Sequence, residues 1–172
     1  MLSRRIDDRP ELAQYIDGAL LAQKDVQELF ERVRSYAAPM QLKPQNLCLS
    51  ELVRDVWDSF TPLLGQRKIE WVLSPANCAV RCDADPFLLS HVIRNIFENS
   101  LSFCPDPVLI EVGISTPTND PNVVRIAIRD NGPGIDEQGR KQVFDAFYTT
   151  HTRGTGLGMT ISRRIMSEHD GT

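Results

Sequence analysis

The segment from Asp130 to Met159 constrains the fold of this chain most, because glycine clusters, DNGPGI and RGTGLGM, lie at its two ends. The alternating run VVRIAIR before the first cluster is typical of a strand that enters a tight turn. After the second cluster, LGMTISRRIMSEH repeats apolar residues at helical spacing. A glycine-rich loop before a helix suits an anion, since free backbone N–H groups and the positive end of the helix dipole point the same way. The pattern predicts a nucleotide site with a phosphate loop on one side and a turn carrying a buried acid on the other.

The composition is that of an ordinary globular protein. The 172 residues can form one core and an appendage, and a hydrophobic content of 41% argues against disorder. A net charge of −4 without a basic stripe argues against a nucleic-acid partner. No apolar run approaches the about 20 residues of a membrane-spanning helix, so this sequence is not expected to contact a membrane.

The four cysteines, at positions 48, 78, 82 and 104, lack paired CxxC spacing. Their spacing favours a reduced compartment over a zinc site, and we expect a cytoplasmic location. A longer protein could still be anchored in a membrane, because both ends of the sequence look cut. LSRR follows Met1 without an anchor, and Thr172 follows a helix without a closing element.

The first 42 residues show one long helical pattern. Apolar residues step by three and four at Leu12, Ile16, Ala19, Val26, Phe30, Val33 and Ala37. The stripe either packs on the globular domain or forms one arm of a helical bundle completed by a second chain. We favour the bundle, and therefore a homodimer, because so long a helix would overhang a small domain.

The remaining residues, 43–172, are expected to form one domain, truncated at its C-terminal end. Residues 39–49 contain two prolines and are predicted to be a linker, and Ser50 is predicted to cap a helix over 51–64. Strands are predicted at 69–73, 79–82, 108–115 and 123–129, the last two as an antiparallel pair. Asp85 is predicted to cap a helix over 86–104. This order predicts an α+β fold, a two-layer α/β sandwich with a mixed sheet covered by helices on one face, preceded by the long bundle-type helix.

Two groups of polar residues are candidates for chemistry. Asn95 and Asn99 lie on one face of a mostly apolar helix, where two amides are costly unless something binds them. They could ligand Mg²⁺ together with phosphate oxygens, or they could simply hydrogen-bond to a loop. Asp130 could accept from the exocyclic amine of adenine, or it could cap the turn before Asn131 and Gly132. The residues by themselves leave both alternatives open.

Four motifs follow one another in a specific order: Asn95 with Asn99, then DNGPGI, VFDAFYTT and RGTGLGM. In that order they resemble the N, G1, F and G2 boxes of sensor histidine kinase ATP-binding domains, within the superfamily that includes type II topoisomerase and mismatch-repair ATPases. The resemblance covers about residues 50–172, and the preceding helix looks like part of the family's dimerisation and phosphotransfer domain. It implies ATP and Mg²⁺ as cofactors and phosphoryl transfer to a histidine. A receiver-domain aspartate of a response regulator would then be the next acceptor.

The resemblance also implies roles for individual residues. Asp130 would accept from the adenine amino group, and Gly132 and Gly134 would let the backbone pass close to the base. Asn99 would ligand Mg²⁺ with Asn95 assisting, and these two would form the catalytic pair. The other nucleotide-binding residues implied are Ile135, Phe144, Phe147, Tyr148, Arg153, Gly154, Thr155, Gly156, Leu157 and Gly158. Among them the phenylalanines would anchor a short lid, and the glycines would hold the phosphates through backbone amides.

Departures from the family pattern refine this expectation. Hydrolysing relatives place a glutamate where this chain has Asn95, and an amide cannot act as a general base, so transfer is favoured over hydrolysis. Ser102 and His151 stand where the family often has a basic residue. The histidines of the chain are His91, His151 and His169, and none lies in a phosphoacceptor box. The acceptor is therefore expected upstream of Met1.

Two other functions fit the same residues. A serine-kinase anti-sigma factor resembles this domain, although the bundle-like N-terminal helix speaks against it. A non-catalytic dimerisation or scaffold module could also retain the fold with weakened nucleotide binding.

Overall fold

The computed structural model describes residues 15, 16, 18–20, 22, 23, 26, 27, 40–74, 80–151 and 154–172. The chain divides into two compact units, residues 1–39 and 40–172. Each described residue of the first unit is helical and exposed. The rest of the predicted N-terminal helix lies outside the described residues, so the bundle and the homodimer remain predictions.

In the second unit, described strands and helices alternate along the chain. They are β1 (Gln45–Cys48), α1 (Leu49–Asp58), β2 (Ile69–Leu73), β3 (Arg81–Ala84), α2 (Pro86–Phe103), β4 (Val108–Ser115), β5 (Arg125–Asp130), α3 (Glu137–Gln142) and α4 (Gly158–Glu168). A short 3-10 turn at Thr61–Leu63 follows α1. None of the helices in the described part of the chain is both long and apolar enough to span a membrane.

The main sheet has the strand order β2-β4-β5. β4 runs parallel to β2 and antiparallel to β5, with Ile110 opposite Asp130 and Ser115 opposite Arg125. Alternate residues of β4, from Val108 to Ile114, are buried, which is the period-2 pattern of a sheet covered on one face. The predicted α+β sandwich with a mixed sheet is confirmed, and so is the antiparallel pairing of its last two strands.

The core lies between this sheet and helices α1 and α2, and aromatic rings fill its centre. The Trp57 ring stacks on Trp71 of β2 with centroids 5.0 Å apart, and meets Phe97 of α2 edge-on at 5.2 Å. Phe60 completes the cluster 6.2 Å from Phe97, which is fully buried. Aromatic rings bury large apolar areas, so this cluster fixes α2 against the sheet.

The predicted linker over 39–49 is wrong in part, because Gln45–Cys48 forms β1 and pairs antiparallel with β3. The paired residues of β3 lie 33 to 39 positions away in the chain, and a short polar strand of this kind has no local signal. The predicted cap is also wrong. Cys48 occupies the N-cap of α1, while Ser50 lies buried in the first turn with its Oγ 3.2 Å from Cys48 Sγ. The helix ends at Asp58, earlier than expected, and β3 begins two residues later than expected.

The N-terminus of α2 is built as the sequence predicts. Asp85 is the N-cap, and its carboxylate accepts from the Phe87 and Leu88 amides at 3.0 Å each. Pro86 occupies the first turn, where a missing N–H costs nothing. This cap sets where α2 begins, and therefore where along the sheet the polar residues of α2 lie.

Candidate functional site

Asp130 is the last residue of β5, which is an edge strand of the main sheet. Neighbouring groups of the protein hydrogen-bond to its carboxylate. Its Oδ2 accepts from Ser100 Oγ at 2.8 Å, and its Oδ1 accepts from the Gly132 amide at 2.9 Å. The side chain is nevertheless exposed, so the expectation of a buried acid is wrong. An edge strand has a neighbour on one side only, which leaves the outer side of this carboxylate open.

The turn after β5 depends on its glycines. A Cβ on Gly132 would lie 3.0 Å from Asp130 Oδ1 and 3.2 Å from Cys104 Sγ, so a larger residue would crowd the carboxylate. Gly134 has φ +74, a left-handed conformation that glycine adopts without strain. Asn131 ties the turn to β4 through the Leu109 amide and the Pro107 carbonyl, at 2.9 Å each. The turn is thus fixed to the sheet on both sides of Asp130.

The two asparagines of α2 have different surroundings. Asn95 Nδ2 donates to Ser162 Oγ of α4 at 3.0 Å, so this amide takes the structural role that the sequence left open. A Cβ on Gly158 would clash with the Asn95 side-chain amide and force that amide to move, so glycine here lets Asn95 stay close to the start of α4. Asn99 is half-buried, and no hydrogen bond joins its side chain to the part of the chain that the structure describes. Its amide is therefore available to a ligand.

Helix α4 presents an uncapped N-terminus next to Asn95. Leu157 at the N-cap position makes no side-chain cap hydrogen bond and is fully buried, so Leu157 can offer a ligand only its backbone. The N–H groups of a first helical turn have no acceptor within the helix, and the dipole adds positive potential there. Such an end binds anions well.

The loop before α4 is closed by a backbone contact between Phe147 and Gly156. The Phe147 amide donates to the Gly156 carbonyl at 3.0 Å. Gly156 has φ +66, and a Cβ there would lie 2.4 Å from the carbonyl carbon of Phe147, so no other residue fits without movement. Phe147 itself has φ +69 and is 63% exposed, an unusual combination for a bulky side chain. Strain of this kind is concentrated at functional sites.

The lid residues occupy the connection between Phe144 and Gly154. Phe144 packs under Arg163 of α4, whose guanidinium carbon is 5.4 Å from the ring centroid. The Tyr148 hydroxyl lies beside Gly139 of α3, at 3.3 Å from the position of a Cβ there. The His151 ring meets Phe103 of α2 edge-on at 5.6 Å. Arg153, a predicted phosphate contact, lies outside the described residues.

The remaining predicted site residues lie along the same loops. A Cβ on Gly154 would lie 2.5 Å from Thr149 Oγ1, so this glycine also admits a close approach. Ile135 is 49% exposed after the first turn, and Thr155 is half-buried between two glycines.

Helix α2 is the element that brings these features together. Through Ser100 it contacts the Asp130 carboxylate, and through Asn95 it contacts Met159 and Ser162 in the first two turns of α4. Asn99 lies between these contacts along the helix. Ser100 and Ser162 were not among the predicted site residues, because a serine in a helix gives no sign of its partner 30 or 67 residues away.

The arrangement fits an adenine nucleotide with a divalent cation. An exposed carboxylate at one end of α2 can accept from an amine, and the uncapped α4 can hold phosphates. The described residues contain no group of three or more His, Cys, Asp and Glu side chains placed to hold a metal ion. The Asn99 amide oxygen together with phosphate oxygens is a donor set that suits Mg²⁺.

Comparison with known proteins points to the same kind of site. Residues 84–172 match the family described as histidine kinase-, DNA gyrase B- and HSP90-like ATPase. The signal transduction histidine-protein kinase AtoS of Escherichia coli K12 is 27% identical over 158 residues, which are 92% of this chain and 26% of AtoS. The chain thus spans about a quarter of the length of this curated relative.

Solved structures share the fold. The catalytic domain of histidine kinase ThkA superposes with a TM-score of 0.65 at 28% identity, covering 73% of this chain and 81% of that one. A structure of ThkA in complex with response regulator protein TrrA has a TM-score of 0.76 at 22% identity, covering 98% of this chain and 48% of that one. At that identity the second likeness supports the fold alone.

Proposed function

The chain belongs to the histidine kinase-, DNA gyrase B- and HSP90-like ATPase family, and we propose that it is the ATP-binding catalytic part of a two-component sensor histidine kinase. The observation that supports this most is the placement of Asn99. Its side chain has no hydrogen bond to the described residues, and it lies on α2 between Asn95, which contacts α4, and Ser100, which contacts Asp130. Base, metal and phosphates would then meet Asp130, Asn99 and the N-terminus of α4, which α2 holds together.

In this proposal Asp130 accepts from the adenine amino group, and the Gly132–Gly134 turn lets the backbone lie against the base. Asn99 ligands Mg²⁺, and the α4 N-terminus with Gly154, Gly156 and Gly158 holds the phosphates through backbone N–H groups. Ile135, Phe144, Phe147 and Tyr148 enclose the nucleotide, and Arg153 and Thr155 add phosphate contacts.

The chemistry proposed is phosphoryl transfer, in which the protein contributes mainly position and charge stabilisation. When bound, Mg²⁺ would neutralise negative charge on the phosphate oxygens. Asn95 cannot abstract a proton from water, and its amide already donates to Ser162. Its role is to hold α4, and with it the phosphate loop, in register with Asn99. Position 95 thus offers no general base for hydrolysis.

The acceptor is proposed to be a histidine outside these 172 residues. His169 is a poor candidate because both of its ring nitrogens are engaged. Nε2 accepts from the Asp85 amide at 2.9 Å, and Nδ1 lies 2.8 Å from the Ile165 carbonyl oxygen. The next acceptor would be the aspartate of a response regulator receiver domain, the kind of partner with which ThkA was crystallised. A homodimer through the N-terminal segment and a cytoplasmic location complete the proposal.

The domain limits are part of the same proposal. Residues 1–42 would belong to the dimerisation and phosphotransfer segment, and residues 43–172 to the ATP-binding domain. Deletion of residues 1–39 should shift the mass measured by light scattering from dimer to monomer and leave ATP affinity unchanged. An unchanged mass would count against the dimerisation role.

Calorimetric titration of the 172-residue chain with ATP, with and without Mg²⁺, tests the central proposal. We expect Mg²⁺ to strengthen ATP binding by the wild-type chain. In Asn99→Ala, ATP affinity should no longer depend on Mg²⁺. Ser90→Ala is the control, because Ser90 lies on the same helix and donates only to the Phe87 carbonyl. A chain that binds no ATP with or without metal would refute the assignment.

Incubation with labelled ATP should leave the chain unlabelled, and label on any of its histidines would refute an external acceptor.

A further inference from the structure

Ser100 and Cys104 lie one helical turn apart at the C-terminal end of α2, and both point at the same partner. Ser100 is 2% exposed and Cys104 is 6% exposed. The Ser100 hydroxyl donates to Asp130 Oδ2 at 2.8 Å. The Cys104 thiol lies close to the same carboxylate, because a Cβ on Gly132 would lie 3.0 Å from Asp130 Oδ1 and 3.2 Å from Cys104 Sγ. A buried hydroxyl needs a partner, and here the partner is the one acid at the edge of the nucleotide site.

The Asp130 carboxylate is therefore held by two donors, one on each oxygen: the Ser100 hydroxyl and the Gly132 amide. An ionised carboxylate has about four acceptor positions, so about two positions remain for a ligand on the exposed side. A donor on each oxygen also fixes the rotation of the carboxylate. The site thus offers acceptor positions in a set orientation.

The helical turn that carries Ser100 and Cys104 is itself anchored. The Arg67 guanidinium donates to the Cys104 carbonyl at 3.0 Å and to the Leu101 carbonyl, and it pairs with Asp106 at 2.7 Å. These bonds satisfy carbonyl groups that the end of a helix leaves without partners. Because the end of α2 is held in this way, its two side chains can position the carboxylate.

We propose that Ser100 and Cys104 are positioning residues that aim the Asp130 carboxylate and so set the preference of the site for adenine over guanine. This inference rests on the proposed function, namely that the site binds ATP. A carboxylate can only accept, so it attracts the exocyclic amine of adenine. Guanine carries an oxygen acceptor at that position and would be repelled. Loosening the carboxylate should weaken the attraction for adenine and let the carboxylate turn away from guanine.

The protonation of the thiol agrees with a donor role. Burial raises the pKa of the Cys104 thiol, and the negative charge of the nearby Asp130 raises it further. The thiol therefore keeps its proton at neutral pH, and an S–H group is a weak donor. Ser100, with an O–H donor, should contribute more than Cys104.

The test compares calorimetric affinities for Mg·ATP, Mg·GTP and Mg·tripolyphosphate, the last of which lacks a base. Ser100→Ala should weaken ATP binding about tenfold, which corresponds to about 1.4 kcal/mol. It should narrow the preference for ATP over GTP and leave tripolyphosphate affinity unchanged. Cys104→Ala should have a smaller effect of the same kind, whereas Cys104→Ser should keep the wild-type preference for ATP over GTP. Ser90→Ala and Cys82→Ala are matched controls away from Asp130.

Two outcomes would overturn the inference. One is an equal loss of ATP and tripolyphosphate affinity in Ser100→Ala, which would indicate general damage to the site. The other is an unchanged preference for ATP over GTP in Ser100→Ala and Cys104→Ala. A wild-type chain that binds tripolyphosphate but neither nucleotide would instead refute the adenine assignment of the proposed function.

A ligand-free measurement tests the contact itself. Asp130→Asn removes the negative charge beside the thiol, so the pKa of Cys104 should fall. The pH dependence of Cys104 alkylation, followed by mass spectrometry of the peptide that contains it, gives this pKa. Cys82 in the same samples serves as an internal reference. An unchanged pKa of Cys104 would show that the thiol does not meet the carboxylate, whether or not the site binds ATP.

Discussion

Helix α2 has an apolar face that packs on the sheet and a polar face near the candidate site, and the two faces differ in how completely the protein itself supplies their contacts. Phe97 is fully buried against the rings of Trp57 and Phe60, and the folded chain completes its contacts. Two residues later, the Asn99 side chain has no hydrogen bond to the described residues, and the Asp130 carboxylate that Ser100 contacts is exposed. The contacts of the apolar face are complete without a ligand, whereas the polar face has groups left for a ligand to contact. Changes in the two sets should therefore separate stability from binding.

The largest effect is expected from Phe97→Ala in the core. Removing a fully buried phenylalanine should lower the free energy of unfolding by about 3–5 kcal/mol, because it loses apolar burial and leaves a cavity. Urea denaturation followed by tryptophan fluorescence measures this. Phe87→Ala, at a phenylalanine that is 68% exposed on the same helix, is the control and should change little. Equal effects of the two variants would contradict the division between the faces.

Asp130→Ala should have the next largest effect, and that effect should be on binding. Losing the acceptor for the adenine amine should weaken ATP binding about a hundredfold, or about 2.7 kcal/mol. The free energy of unfolding should fall by only about 1 kcal/mol, because Ser100 loses its partner. Calorimetry and urea denaturation of the same variant separate the two quantities. Unchanged ATP affinity would remove the adenine assignment.

Gly156→Ala should lower the free energy of unfolding by about 2 kcal/mol for two reasons. Alanine is strained in the left-handed conformation of this position, and its methyl group would clash with the backbone of Phe147. Gly134→Ala is a matched variant: its φ of +74 is similar, but a Cβ there meets nothing within 4 Å. It should cost about 1 kcal/mol, the strain alone. Urea denaturation of both variants checks the difference. If both cost the same, the contact between Phe147 and Gly156 is not rigid.

The smallest effect, about 1 kcal/mol, is expected from Asp85→Asn at the start of α2. Burial by itself would raise the pKa of Asp85, but hydrogen bonds from the Leu88, Lys43 and Phe87 amides, with His169 nearby, lower it overall. A lowered folded-state pKa stabilises the protein above the unfolded pKa of about 3.9, and this stabilisation is lost as the pH falls through the folded value. The difference in unfolding free energy between wild type and variant should therefore shrink below about pH 4.

Denaturation curves from pH 7 down to pH 3 measure this difference. The side-chain amide of asparagine would place a donor against the Lys43 amide, which donates to Asp85 Oδ2 at 2.9 Å. Asp83→Asn, at an exposed aspartate two residues earlier, is the control. A difference that grows with falling pH would contradict the lowered pKa.

The sequence by itself determined the elements with strong local patterns and the order of the motifs. Strands 69–73 and 108–115, the cap at Asp85 and the helix after the second glycine cluster follow from period, capping and turn chemistry. Each of these signals lies within a few residues of the structure that it predicts. The identity of the family also came from motif order, which is a property of the chain alone.

Only the tertiary structure decided what depends on partners far apart in the chain. β1 exists because β3 lies beside it, and the exposure of Asp130 follows from the position of β5 at the sheet edge. The engagement of Asn95 with Ser162, and of Ser100 with Asp130, needs two helices and a strand to meet. Hydrogen bonds and burial act between neighbours in space, and a linear pattern records neighbours only along the chain.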